Sequence, residues 1–184
     1  DDGVCSFLFV GRIMKEKGVD EFFSAARTLK AEFGEKVAFD VVGFYEDAYK
    51  EQVDQLVADG VVRFHGFQTD VHPFYEAADC VVLPSYHEGM SNVLLEGAAT
   101  GRALITSDIP GCREAVEDGV SGYLCPAQDA EGLTQAMRDF AQQSFDRQVQ
   151  MGQSGRALVE RKFDKQLVVA KTLDGLGLPA AVRS

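Results

Sequence analysis

The chain has 184 residues, 46% hydrophobic and 26% charged, with 18 Lys and Arg against 29 Asp and Glu, for a net charge of −11. Residues 1–184 fit a single domain with a sizeable core. The acidic balance excludes a nucleic-acid binder, which needs cationic surface to displace counterions, and no apolar run nears the ~20 residues of a membrane span.

Six β-rich runs recur along the chain. "CSFLFVG" (5–11) is the first, and the loop that follows reads "GRIMKEKG" (11–18), with Arg12 and Lys17 between two glycines. In "GVDEFFSAARTLKAEF", Val19, Phe22, Phe23, Ala26, Leu29 and Phe33 recur at spacings of three and four, which predicts a helix with one apolar stripe. "VAFDVVG" (37–43) is a second strand, and "EDAYKEQVDQLVADG" a second helix, ended by Gly60. "VVRFHG" (61–66) is a third strand. "VHPFYEAAD" follows as a short helix, with Pro73 tolerated in its first turn.

The fourth strand is "CVVLPS" (80–85), then "ALITSD" (103–108) and "GYLCP" (122–126). These runs are continuously apolar rather than alternating, as strands covered on both faces are. Helical patterns end the chain at 130–143, 146–162 and 165–175, before a tail "GLGLPAAVRS" that reads as frayed or as a connector. The chain starts at Asp1 without a signal peptide, so it reads as an excerpt or a processed form. Cys5, Cys80, Cys112 and Cys125 form no C-x-x-C pair, so neither a disulfide framework nor a zinc site is expected. Cys5, Cys80 and Cys125 end apolar runs and pack there as small hydrophobes. The reducing cytosol is the natural compartment.

Strand–helix alternation means a parallel sheet with right-handed crossovers. Six strands suggest an α/β, doubly wound, Rossmann-like sheet in the order 3-2-1-4-5-6, with helices on both faces. Strands one and four then meet at the switch point, where ligands bind beyond the strand C-termini. The loops facing each other there are 11–18 and "SYHEGMSN" (85–92).

In the first loop, Arg12 offers a planar fork for phosphate oxygens and Lys17 a compact charge on a long stem. Taken alone, the two read more readily as solvated charges on a surface loop. There is no Walker A motif and no G-x-G-x-x-G after the first strand, which argues against a dinucleotide dehydrogenase. In the second loop a helix starts near Ser91 or Asn92, and the N–H groups of Asn92 and Val93 are open to phosphate oxygens. Glu88 lies just before that start and Glu96 one turn inside. Each acid alone has an ordinary reading: a solvated loop acid, and a first-turn acid favoured by the helix dipole. Together they suit the O–H donors of a polyol. Phosphate and polyol in one ligand describe a nucleotide sugar.

"GRIMKEKG" followed by "PSYHEGMSNVLLEGAATGRALITSDIPGCREAVEDGVSGYL" resembles the C-terminal, donor-binding domain of the retaining family-four glycosyltransferases, which have the two-domain GT-B fold. The resemblance runs from about residue 5 to about residue 165. It implies that Arg12 and Lys17 hold the diphosphate, Glu88 meets hydroxyls of the transferred sugar, and Glu96 meets the ribose. Gly89, Met90, Ser91, Asn92 and Val93 then line the sugar–phosphate path, and the base rests near Gly66 and Phe67. Glu88, Arg12 and Lys17 become the catalytic candidates, with no metal or other cofactor. Ser91 departs from the Gly or Pro frequent at that place in the family. An N-terminal acceptor domain is expected outside this chain, and the acceptor is expected to be a glycan or lipid-linked. A nucleotide-sugar epimerase-type domain and a non-catalytic nucleotide-sugar-binding module are the alternatives.

Overall fold

The computed structural model describes residues 3–163; the helix expected over 165–175 and the tail lie outside the described residues. The six strands are β1 (Cys5–Val10), β2 (Val37–Val42), β3 (Arg63–Phe64), β4 (Cys80–Leu83), β5 (Ala103–Ser107) and β6 (Gly122–Cys125). They form one parallel sheet in the expected order β3-β2-β1-β4-β5-β6. The helices are α1 (Val19–Phe33), α2 (Lys50–Ala58), α3 (His72–Ala77), α4 (Asn92–Ala99), α5 (Ala130–Ala141) and α6 (Phe145–Phe163).

The units β1–α1–β2 and β4–α4–β5 run outward from the centre in opposite directions. Right-handed crossovers therefore put α1 and α4 on opposite faces. α1 packs with α5, and α4 with α6. On the first face Phe7 stacks on Phe39 with ring centroids 5.5 Å apart, and Phe140 and Phe22 close over them. All four rings are fully buried, and such aromatic pairs add to the area they remove from water.

The third strand is shorter than the run 61–66 suggests. The N–H groups of Val61 and Val62 turn back to the Leu56 carbonyl at the end of α2, so both leave the ladder. At the other end Gly66 takes φ +66°, a left-handed conformation that stops the extended chain. Cys5, Cys80, Cys112 and Cys125 are all free and buried, as small hydrophobes are.

Candidate functional site

β1 and β4 are hydrogen-bonded neighbours, so the loops leaving their C-terminal ends lie against one another. The first is fixed by Ile13, which is fully buried and donates its N–H to the Phe44 carbonyl at 2.9 Å, leaving the neighbouring Arg12 exposed. Lys15–Lys17 then form a 3-10 turn that ends at Gly18, φ +70°. A Cβ on Gly18 would stand 2.0 Å from the Pro84 carbonyl oxygen, so only glycine permits this approach. Just beyond, the Tyr86 N–H donates to the Glu16 carbonyl at 2.9 Å.

Lys17 Nζ lies 2.5 Å from Glu88 Oε1, and Ser85 Oγ donates to the same oxygen at 2.8 Å. The Glu88 side chain is only 13% exposed and that of Lys17 30%, so water screens the pair incompletely. The cation expected for phosphate and the acid expected for sugar thus touch directly, with Ser85 as a partner that neither motif named.

α4 starts where the sequence placed it. Ser91 is its N-cap and accepts from the Leu94 N–H, while the N–H groups of Asn92 and Val93 have no internal partner among the described residues. Ser91 N–H donates to the Gly111 carbonyl at 3.1 Å, and Gly111 N–H donates to Glu114 Oε2 at 2.8 Å. Gly111 has φ +86°, and a Cβ there would lie 1.8 Å from the Gly89 carbonyl oxygen. The turn around Gly111 is therefore the wall against which the segment 89–91 lies. Gly89, Met90 and Asn92 are exposed above it, and Val93 is partly buried.

Glu96 is exposed, and its Oε2 accepts from the buried Tyr75 hydroxyl at 3.1 Å. Burial, with the adjacent carboxylate second, raises the Tyr75 pKa, so the phenol remains a donor and fixes one oxygen of the acid. On the β2–β3 side, the Arg12 guanidinium lies 5.4 Å above the Phe44 ring, which meets Phe67 at 6.4 Å. Phe44 and Phe67 are 50% and 66% exposed, high for rings this size. Gly66 is next to them, its carbonyl bonded to the Gly43 N–H. Arg12 and Lys17 thus occupy different parts of one crevice, Arg12 on the aromatic pair and Lys17 on Glu88.

Ser85, Tyr75, Tyr86 and Phe44 are the residues that motif reading passes over. Tyr75 had one signal: a tyrosine buried on a helix needs a partner for its hydroxyl. Among the described residues no group of three or more His, Cys, Asp and Glu could hold a metal ion.

A doubly wound parallel sheet with its crevice at the β1–β4 switch point defines a Rossmann-like α/β domain. The family described as Glycosyl transferases group 1 matches residues 5–143, and the chain belongs to it. The glycogen synthase of Mycobacterium tuberculosis is 32% identical over 173 residues, spanning 92% of this chain and 42% of that protein. Among solved structures, the C-terminal domain of a glycosyl transferase group 1 family protein (LpcC) from Francisella tularensis superposes with a TM-score of 0.76 at 26% identity, covering 86% of each chain. The Anabaena protein Alr3699/HepE in complex with UDP superposes with a TM-score of 0.79 at 21% identity, covering 94% of this chain and 49% of that one. The chain spans between a third and a half of the length of the curated relatives it matches. None of its described helices is long and apolar enough to cross a membrane.

Proposed function

We propose that this chain is the donor-binding domain of a retaining glycosyltransferase, acting on a nucleoside-diphosphate sugar in the cytoplasm. The observation that carries the reading is the Lys17–Glu88 contact beside the start of α4. A cation, helix N–H groups with no partner among the described residues and a carboxylate converge there, on a domain whose overall charge repels polyanions. Lys17, Arg12 and the N–H groups of Asn92 and Val93 hold the diphosphate. Glu88 accepts from sugar hydroxyls, Glu96 from the ribose, and the base lies toward Gly66 and Phe67. A fold shared with a protein solved in complex with UDP supports a nucleotide ligand.

As the anomeric C–O bond breaks, negative charge grows on the departing diphosphate. Lys17, Arg12 and the α4 N-terminus stabilise it without a metal. Glu88 holds the sugar while the acceptor hydroxyl bonds to the anomeric carbon from the leaving-group side and passes its proton to an oxygen of the departing diphosphate, which retains configuration. The acceptor, a glycan or lipid-linked sugar, is bound by a domain outside this chain. With the donor held from one side only, affinity should be about 0.1–1 mM. Ligand-observed NMR with UDP, GDP, their hexose conjugates and free hexose tests this. Saturation transfer to the diphosphate ligands and none to free hexose is expected; no diphosphate-dependent binding would overturn the reading.

A further inference from the structure

Tyr86 stands two residues before Glu88 on the loop after β4, and it is held at two points, by the 3-10 turn Lys15–Lys17 and by the first turn of α1. Its N–H donates to the Glu16 carbonyl at 2.9 Å, and its hydroxyl donates to Glu21 Oε1, in the first turn of α1, at 2.7 Å. Burial first, then the Glu21 carboxylate, raises the Tyr86 pKa, so the hydroxyl remains a donor through the neutral range. The other Glu21 oxygen is buried with no partner among the described residues. A carboxylate so placed has been taken from water for one bond, which is costly unless that bond is kept. Two residues further back, the Pro84 carbonyl is pressed against Gly18. The chain between Pro84 and Glu88 therefore has little freedom, and Glu88 is delivered to Lys17.

We propose that Tyr86, anchored by Glu21, is a positioning residue that sets Glu88 for the transferred sugar. This rests on the donor-site reading above. Tyr49 supplies the internal comparison: its hydroxyl donates to Asp20 at 3.1 Å, on the same turn of α1, but it belongs to the segment before α2 and not to the Glu88 loop. If Tyr86 only stabilised the start of α1, the two hydroxyls would be equivalent.

The test compares Tyr86→Phe, Tyr49→Phe and Glu21→Gln in this chain by amide NMR and by titration with UDP and UDP-glucose. In Tyr86→Phe the Ser85 and Glu88 amides should shift without ligand. The ratio of UDP-glucose to UDP affinity should fall about fivefold, the factor one net hydrogen bond is worth. Tyr49→Phe should leave both as in the parent, and Glu21→Gln, which keeps an acceptor for the hydroxyl, should retain most of the ratio. Unmoved amides in Tyr86→Phe, or equal effects from Tyr49→Phe, overturn the positioning role whatever the ligand. A parent that binds neither probe while the amides still shift overturns the donor reading, and with it the sugar as the object of the positioning.

Discussion

The two side chains on which the donor reading turns neutralise one another in the structure. Lys17 rests on Glu88 at 2.5 Å, so an arriving diphosphate competes with an acid for its cation. Lys17→Ala should therefore weaken nucleoside-diphosphate binding by roughly 1.5–3 kcal/mol, the range for charge-assisted hydrogen bonds. Glu88→Gln should act the other way on the bare diphosphate. With one negative charge removed and Lys17 released, affinity should rise by about 0.5–1 kcal/mol, the size of a partly exposed ion pair, while affinity for the sugar conjugate gains nothing comparable. Calorimetry with both ligands separates these signs. A Glu88→Gln protein that binds bare diphosphate more weakly than the parent would show that the acid helps rather than competes. Such pairings were not legible in the sequence. "GRIMKEKG" and "HEGMSN" announced a cation and an acid, but Lys17–Glu88 and Tyr86–Glu21 join residues 71 and 65 apart. Only the sheet order makes them neighbours, and side-chain rotamers then decide which touch.

Elements were far more legible than contacts. Continuous apolar runs marked the strands because both faces of a parallel sheet are covered, and the cap residue Ser91 marked α4. The third strand is shorter than its apolar run, since local apolarity at Val61 and Val62 cannot reveal that the end of α2 claims their N–H groups. The joints between elements hold the sharpest constraints. Gly18 ends the 3-10 turn, begins α1, and touches the β4 loop in a conformation costly for any other residue. Gly18→Ala should cost at least about 2 kcal/mol, or roughly 4–8 °C in melting temperature for a domain of this size. A thermal melt within a degree of the parent would mean that the loop can retreat from α1 at little cost. Gly34 is the comparison: its φ is +59°, and its added Cβ would meet nothing within 4 Å, so alanine there should cost only the backbone strain.

For the whole molecule, burial of the thiols links stability to pH. Burial pushes Cys5 and Cys125 up to about 12 and Cys112 to about 11, against about 8.5 in an unfolded chain. A raised folded value means the native state holds its proton longer. The contribution is complete below about pH 8.5 and declines as pH rises toward 11–12. Urea midpoints should fall steadily between pH 8.5 and 10.5, and a disulfide reagent should find almost no reactive thiol in the native protein at pH 7.5. Rapid labelling of a native cysteine would contradict the packing described for all four. The order of the sheet has a consequence in time as well as in space. β1–β2 and β4–β5 join neighbouring segments, whereas β1 meets β4 in a register of two residue pairs, beside a Ser6–Asp79 bond that spans 73 residues. Long loops must close before that seam pairs, so each half-sheet can gather before the two meet. The crevice exists only once the seam has closed, and neither half alone offers a nucleoside diphosphate more than part of its contacts. Bound ligand should then lengthen the lifetime of the native state while leaving the rate of refolding where it was. Stopped-flow unfolding and refolding with and without UDP would measure both arms, and a faster refolding arm would mean that the halves meet around the ligand.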